Sequence, residues 1–256
     1  MTLAANQGHH QAEDHLCYLY RIGKEVHQDY AQAFYWGIRA ARAGIAFSQM
    51  IVGWLYENGA GVEQNYKEAA YWYILAANQG EADTENRLGL LYRYGHGIRQ
   101  DYVEAVKLLR RSESRGNSWG QVNLGRMYAQ GLVVKQDYSE AVRLYQLSSS
   151  QGNPYAYYHL GRMYENGLGI TQNNNTALYF YRKAADQGLP EAQTHLRRLM
   201  EKMTPAPQPA APTPQELYEK GSQHFDAEQY SEALKYYLPA VSQNYAPAQD
   251  RLGYMY

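Results

Sequence analysis

Apolar and small residues recur along this chain in blocks that repeat every 36 residues. In the block 44–80, the first half places such residues three or four positions apart, at Ser48, Val52, Leu55 and Tyr56. The second half does the same after a short polar stretch, at Ala69, Trp72, Tyr73 and Ala76. This spacing is typical of one face of a helix. Each block therefore predicts two helices, one after the other.

Glycine and acidic or amide side chains mark where these helices end and begin. Gly59 and Gly61 follow the first helix, and glycine readily adopts the left-handed conformation that closes a helix. An acidic or amide residue followed three positions later by Glu or Gln predicts a capping box at the start of the second helix. The pairs are Asn65 with Glu68, Asp101 with Glu104, Asp137 with Glu140 and Asp29 with Gln32. In the fifth block, residues 172–176 lack the tyrosine and the acidic cap, so we expect a weaker helix start there.

The interval between blocks does not vary along the chain. The glycine that closes each block recurs at Gly8, Gly44, Gly80, Gly116, Gly152 and Gly188. A fixed period of this length indicates a stacked array of repeats, because one helix pair is too small to bury its own core. Gly53 and its equivalents fall inside the first helix, where glycine costs about 1 kcal/mol relative to alanine. We expect them to allow close approach between the paired helices.

The repeated run Leu-Gly-x-x-Tyr-x-x-Gly-x-Gly-Ile/Val, followed by Asp/Asn-Tyr-x-x-Ala and Ala-Ala-x-Gln-Gly, resembles the Sel-one-like repeat (SLR), a relative of the tetratricopeptide repeat (TPR). Residues 1 to about 203 carry the resemblance. It implies an all-α fold, an α-solenoid in which antiparallel helix pairs form a right-handed superhelix. It also implies a protein that binds other proteins and has no inherited active site.

The pattern divides the chain into three regions. Residues 1–203 form the SLR array, with a partial leading helix, five 36-residue units and a capping helix. Residues 204–214 contain five prolines and are predicted to be a linker. Residues 215–256 hold a TPR-like unit and the truncated start of another repeat, and Pro239 is expected to kink or end a helix there. Because residues 1–8 match the end of a second helix, we expect further repeats upstream in the parent protein.

Composition and charge narrow the choice of partner. The chain has 256 residues and a formal net charge of −1, so it lacks the positive charge that nucleic-acid binding requires. No apolar stretch approaches the roughly 20 residues of a membrane-spanning helix, and we expect a soluble fragment without a transmembrane segment. Localisation stays open between the bacterial cytoplasm and the periplasm or secretion. Cys17 is the only cysteine, which excludes an internal disulfide and indicates a small buried residue.

The sequence offers no convincing group of residues for catalysis, a metal or a cofactor. His9, His10, Asp14 and His15 lie close together and could hold a metal. A solvated helix face explains them better, since no recognised ligand pattern is present. The glycine-rich loop 95–97 lacks the Lys-Ser/Thr sequence of a phosphate-binding loop. We therefore predict a non-enzymatic protein with no metal and no cofactor.

The candidate binding surface is the face of the first helices opposite their core, which lines the concave groove in TPR relatives. It is rich in aromatic and arginine side chains, the composition of binding hot spots. The predicted groove residues are Phe47, Met50, Trp54, Arg93, Tyr94, Trp119, Arg126, Tyr155, Tyr158 and Arg162. In this interpretation Arg126 and Arg162 pair with acidic groups of the partner. Apolar contacts come from Trp54, Trp119 and Tyr158. The alternative is that Phe47, Trp119 and Tyr155 pack on the adjacent repeat.

These observations predict an interaction scaffold that binds a protein or peptide partner in the concave groove of the array. Two alternatives remain. One is a targeting or positioning module of a larger bacterial enzyme, cell-envelope or virulence-associated protein. The other is an array that associates with itself.

Overall fold

The computed structural model of the chain describes residues 2–204 and 211–255. Regular secondary structure within these ranges is entirely helical, which confirms the predicted all-α fold. The helices are α1 (Thr2–Asn6), α2 (His10–Ile22), α3 (Tyr30–Arg42), α4 (Ala46–Asn58), α5 (Tyr66–Asn78), α6 (Ala82–Tyr94), α7 (Tyr102–Ser114), α8 (Ser118–Gln130), α9 (Tyr138–Ser150), α10 (Pro154–Asn166), α11 (Asn174–Ala185), α12 (Pro190–Met203), α13 (Pro214–Asp226), α14 (Tyr230–Ser242) and α15 (Ala246–Gly253).

The chain divides into two compact bodies, Met1–Glu201 and Lys202–Tyr256. In the first body, α2 with α3, α4 with α5, α6 with α7, α8 with α9 and α10 with α11 form five helix pairs, here called units 1 to 5. The second helix of each unit packs on the first helix of the next. First helices also contact one another directly, α2 with α4 and α6 with α8. At these two places the first helices lie side by side on one surface of the stack.

The second helices begin where the sequence predicts, but their caps differ from the predicted capping boxes. At α5, the Asn65 side chain accepts hydrogen bonds from the backbone N–H groups of Lys67 and Glu68 at 3.0 and 3.2 Å. The backbone N–H of Asn65 donates to the Tyr56 carbonyl at 2.9 Å, so the Glu68 side chain is not needed to satisfy it. The reciprocal half of the predicted box is therefore wrong. The same backbone bond to a tyrosine carbonyl is made by Asp29, Asp101 and Asp137.

The start of α11 in unit 5 is capped like its siblings, despite its different sequence. The Asn173 side chain accepts a hydrogen bond from the Thr176 backbone N–H at 3.0 Å. The backbone N–H of Asn173 donates to the Tyr164 carbonyl at 2.9 Å. Because asparagine caps helices about as well as aspartate, the expected weakness of this start does not follow from the missing acid.

A glycine in the first helix makes room for a ring from the second helix. A Cβ atom added to Gly53 would lie 2.6 Å from the Tyr73 ring, closer than packed atoms tolerate. The same holds for Gly161 beneath Tyr181, at 2.6 Å. The glycines therefore do allow close approach of the paired helices, as expected, and the partner is an aromatic ring. Tyr73 and Tyr181 are fully buried in these positions.

In unit 1 the glycine of this contact lies in the second helix, and the larger side chain lies in the first. Cys17 stands where the other units have glycine, and Gly37 stands where units 2, 4 and 5 have tyrosine. A Cβ on Gly37 would lie 2.7 Å from the Cys17 sulfur. Burial, with the nearby charge of Asp14, raises the pKa of the Cys17 thiol to about 12. Cys17 is thus an inert packing residue rather than a reactive thiol.

The glycine-rich loop at 95–97 has a packing role as well. Gly97 has φ of 69°, and a Cβ there would collide with the backbone of Tyr66 at the start of α5. Glycine therefore lets the loop of one unit rest on the second helix of the preceding unit.

The second body repeats the helix pair on its own core. Tyr237 of α14 lies over Gly221 of α13, where a Cβ would be 2.6 Å from the ring. From the sequence, Pro239 is expected to kink or end its helix; helix α14 runs through Pro239 and ends at Ser242, so Pro239 does not end it. Proline removes one backbone donor, and Pro239 is on the exposed side of the helix. The predicted linker 204–214 lies mostly outside the described residues.

Replacing Gly53 by alanine tests the contact between ring and glycine. Helix propensity alone would make Gly53→Ala stabilising by about 1 kcal/mol. The displaced Tyr73 ring should instead make the variant less stable by about 1–3 kcal/mol, measured by urea unfolding. Gly253→Ala is the control, because a Cβ at that position of α15 meets no atom within 4 Å. Equal or greater stability of Gly53→Ala would contradict the packing described.

Candidate partner-binding groove

A groove opens on the surface of first helices, between units 2 and 5. It encloses about 490 Å³, and we call it the central groove. Its lining comes from α4, α6, α8 and α10 and comprises Glu57, Asp83, Asn86, Arg87, Leu90, Trp119, Val122, Asn123, Arg126 and Tyr155. Three of the predicted groove residues, Trp119, Arg126 and Tyr155, are among them.

The central groove has an aromatic rim and a polar floor. The rings of Trp119 and Tyr155 lie 5.3 Å apart between their centroids, across adjacent units. They remain 43% and 38% exposed, so they pack on each other and can still contact a ligand. On the floor, the buried Asn123 side chain donates a hydrogen bond to Asn86 at 2.8 Å. The groove can therefore offer both apolar contact and hydrogen bonds.

A second cavity of about 230 Å³ adjoins the central groove, and Arg126 lines both. We call it the arginine cavity. Its lining comprises Arg126, Ala129, Gln130, Tyr138, Tyr145, His159, Arg162, Met163 and Leu168. It brings together two of the predicted residues, Arg126 and Arg162.

Two arginines, Arg126 and Arg162, line this cavity, and Arg93 lies beside it, bonded to the lining residue Gln130. Arg93 is only 5% exposed, and its Nη2 donates to the Gln130 side chain at 2.6 Å. Its Nη1 is buried and has no hydrogen-bond partner among the described residues. Burial and the neighbouring charge of Arg126 lower the pKa of Arg93. Within residues 2–204 and 211–255, Arg93, Arg126 and Arg162 form no ion pair, so the cavity is strongly positive.

The wall of the arginine cavity contains a stacked tyrosine and histidine. The rings of Tyr145 and His159 lie 4.8 Å apart at an angle of 14°. Burial, together with the charges of Arg126, Arg162 and Arg93, lowers the pKa of His159 to about 3. His159 is therefore neutral at physiological pH, and the positive charge here belongs to the arginines. The Tyr145 hydroxyl has no hydrogen-bond partner in the described part of the chain.

Three predicted residues at the start of the array are more enclosed than expected. Phe47, Met50 and Trp54 are half-buried and pack against the core around α2 to α5. The Trp54 ring lies 5.8 Å from the Tyr30 ring and beneath the Arg21 guanidinium. Their position favours packing between repeats, the alternative that the sequence left open for Phe47.

The remaining predicted residues, Arg93, Tyr94 and Tyr158, are not among the residues that line the two cavities. Tyr158 packs on its neighbours, and its hydroxyl lies 3.3 Å from His195 Nε2. Tyr94 is 47% exposed, beneath the Arg93 guanidinium. Arg93 departs from the expectation of an open side chain, because α6 turns it inward to reach Gln130 of α8.

Sequence reasoning missed the polar residues of this surface. Selecting only aromatic and arginine side chains passed over Asn86 and Asn123 on the groove floor. It also passed over Ala129, which interrupts a column of charged residues at Glu57, Arg93 and Glu165. That interruption is visible in the repeat alignment, and it could have marked the arginine cavity.

The histidines near the N-terminus do not gather into a metal site in the part of the chain that the structure describes. His10 Nδ1 lies 2.8 Å from the Glu13 carboxylate. Glu13 is fully buried and accepts a hydrogen bond from Arg39 Nε at 2.6 Å. This carboxylate is therefore engaged in joining α2 to α3.

Comparison with known families identifies the repeat. The Sel1 repeat matches residues 10–45, 46–81, 82–117, 120–153, 154–189, 216–245 and 246–256. Because the matches cover most of the chain, the protein belongs to the Sel1 repeat family, the SLR family that its sequence resembles. The last two matches lie in the second body, which the sequence had suggested to be TPR-like. Proteins of this family are generally non-catalytic scaffolds that bind other proteins.

Two solved structures are similar to this chain over most of its length. A Sel1 repeat protein from Oxalobacter formigenes aligns with a TM-score of 0.73 and 31% identity, over 80% of this chain and 82% of that one. A protective antigen present in uropathogenic Escherichia coli strains, which displays an SLR fold, aligns with a TM-score of 0.67 and 31% identity. That alignment covers 99% of this chain and 58% of the antigen. A comparison with curated proteins gave no match.

None of the helices in the described ranges combines the length and the apolarity that a membrane-spanning helix needs.

The protonation of His159 tests the electrostatics of the arginine cavity. Nuclear magnetic resonance should give this ring a pKa of about 3. Because the unfolded chain takes up the proton more readily, the contribution of His159 to stability should be lost as pH falls from about 6.5 towards 3. Arg126→Met removes one facing charge and should raise the pKa of His159. A pKa near 6.5 in the unmodified protein, or no change on Arg126→Met, would contradict this description.

Proposed function

We propose that this chain is an interaction scaffold that holds an acidic segment of a partner protein along the central groove. The observation that carries the proposal is the continuity of two features. An aromatic-rimmed groove adjoins a cavity lined by two arginines that form no ion pair among the described residues, and Arg126 belongs to both.

The aromatic rim suits a protein partner. Trp119 and Tyr155 are large side chains left partly open to solvent, and tryptophan, tyrosine and arginine dominate the binding energy of protein interfaces. Their rings are held in place by mutual packing across two units. A partner that covers them therefore pays little conformational entropy on the scaffold side.

The arginines indicate which charge the partner carries at this surface. The chain as a whole is close to neutral, with a formal net charge of −1, so the positive charge at this cavity is local. Arg126 and Arg162 face the cavity from α8 and α10. Hydrogen bonds from arginine to a carboxylate are charge-assisted and can be bidentate. An aspartate or glutamate of the partner fits this surface best.

The same groups suit binding better than catalysis. A general base at neutral pH needs a pKa near the working pH, and the pKa of His159 is far below that. Burial also raises the pKa of Tyr145 above its ordinary value, so neither group is poised to exchange a proton. This supports a non-enzymatic role, in keeping with the family.

The proposed role is compatible with a place in a larger protein. The Escherichia coli antigen that resembles this chain is longer, and this chain spans 58% of it. A scaffold of this kind could then position its neighbours within a virulence-associated protein, the alternative that the sequence raised. In either setting the central groove would be the surface that binds the partner.

The double variant Trp119→Ala with Arg126→Ala tests the groove. Partner captured from cells of the source organism by the unmodified chain should bind the variant at least roughly 30-fold more weakly, as expected on losing about 2 kcal/mol at a hot spot. The free energy of unfolding should change by no more than about 1 kcal/mol. Trp54 is a poor choice for this purpose, because it packs against the core.

The matched control is Tyr71→Ala with Arg99→Ala, which removes an exposed aromatic ring and an exposed arginine outside the groove. It should bind the partner as the unmodified chain does. Equal binding by the groove variant, or equal loss by the control, would count against the central groove as the binding surface.

A further inference from the structure

The repeats supply a template for what the arginine cavity binds. In unit 5, the Glu165 carboxylate accepts hydrogen bonds from the Tyr181 hydroxyl and from Arg198 Nη2, both at 2.6 Å. His195 Nδ1 lies 3.7 Å from the same carboxylate. Burial alone would raise the pKa of Glu165, but the Tyr181 and Arg198 bonds lower it below its ordinary value. The carboxylate is therefore held in its charged form by a tyrosine and an arginine, with a histidine beside them.

Unit 2 builds a related arrangement. Tyr73 donates its hydroxyl hydrogen to Glu57 at 2.6 Å, and Arg87 lies 3.3 Å from the same carboxylate oxygen. The carboxylate position next to the buried tyrosine is thus used at two places in the array. The counter-charge comes from the next helix along the chain, α6 after unit 2 and α12 after unit 5.

Unit 4 has the surroundings of this site without its carboxylate. One repeat of 36 residues before Tyr181, His195 and Arg198 stand Tyr145, His159 and Arg162. At the position of Glu165 stands Ala129. The three groups that hold the carboxylate in unit 5 are all present in unit 4, and all three line the arginine cavity with Ala129.

The unit 4 site is also more positive than its template. Arg126 corresponds to Arg162 of the template, whose charge also acts on His195, and the buried Arg93 adds one further charge. Arg126, Arg162 and Arg93 each lower the pKa of His159. Arg93 is more than nine-tenths buried, and its Nη1 has no partner among the described residues. Burying an arginine donor without a partner costs free energy. An anion in the adjoining cavity would offset part of that cost through its attraction to the Arg93 charge.

We infer that the arginine cavity is a carboxylate-binding site, which takes from the partner the acidic group that Glu165 supplies within unit 5. This inference rests on the proposed function and specifies its chemistry. The cavity volume of about 230 Å³ is several times the roughly 30 Å³ that one water molecule occupies. The cavity therefore has room for the carboxylate group of a glutamate side chain. A segment lying in the central groove would reach the cavity past Arg126.

Ala129→Glu tests the site by supplying the carboxylate from the chain itself. The probe is a hexaglutamate peptide at low ionic strength, with binding measured by calorimetry. The unmodified chain should bind it, and Ala129→Glu should bind it at least tenfold more weakly. Ala129→Glu should also melt at a higher temperature than Ala129→Gln, which fills the same space without the charge. A variant no more stable than Ala129→Gln that still binds hexaglutamate normally would overturn the inference.

Two further measurements keep the result unambiguous. Tyr145→Phe removes only the unpartnered hydroxyl, so it should weaken hexaglutamate binding severalfold while leaving the melting temperature unchanged; unaltered binding would contradict the role of Tyr145. Inorganic phosphate is the competing anion. Phosphate binding as tight as that of hexaglutamate would replace the carboxylate site by a general anion site and overturn the assignment.

Failure of this inference can be told apart from failure of the proposed function. Suppose that Ala129→Glu no longer binds hexaglutamate, but the double variant of Trp119 and Arg126 still binds the natural partner. The carboxylate site in the arginine cavity is then supported, and partner binding in the central groove is contradicted. If that double variant loses the natural partner while Ala129→Glu keeps both ligands, the groove stands and the carboxylate site is wrong.

Discussion

The close approach of the paired helices at a glycine is the constraint on which the rest of this structure depends. Tyr73, Tyr145 and Tyr181 each lie against a glycine of the paired helix, closer than any side chain at that position would allow. Burying a ring of this size is among the larger single contributions to a core. The contact therefore fixes the spacing of the two helices, and a repeat of fixed length carries that spacing along the array.

The same contact also shapes the proposed binding surface. Because the ring crosses beside the glycine, its hydroxyl reaches the side of the first helix where Glu57 and Glu165 lie. Packing in the core thus places a hydrogen-bond donor on the surface of first helices. Where a glutamate of the chain meets that donor, the surface is satisfied internally. Where Ala129 stands instead, the donor and its arginines remain available for a ligand.

Much of the fold could be predicted because the same pattern of residues recurs in every unit. Glycines at constant intervals identified the helix ends, and apolar spacing identified the helices themselves. Local features that allow more than one conformation or hydrogen-bond partner were harder to predict. The Asn65 backbone N–H could bond either Glu68 or the Tyr56 carbonyl, and only the folded loop decides between them. Pro239 likewise lies inside a helix, where proline is usually disruptive, and its exposed position in α14 tolerates it.

The candidate site was less predictable than the fold for a related reason. A helical wheel places Arg93 and Arg126 on one face, yet the neighbouring unit buries the former and leaves the latter lining both cavities. Burial of a long side chain depends on what stands one unit away, here Gln130. Ala129 was overlooked because a search for large or charged side chains does not select an alanine. Its departure from the charged residues at the equivalent positions was nevertheless visible in the sequence.

The most direct test of the account asks which face of the array the partner touches. A photoreactive benzoylphenylalanine would be introduced singly at Leu90, in the central groove, and at Val103, which is 62% exposed at the start of α7 outside it. Irradiation in the cells that make the protein should join the partner to position 90 and not to position 103. Cross-linking from position 103 alone would contradict the claim that the first-helix surface binds the partner.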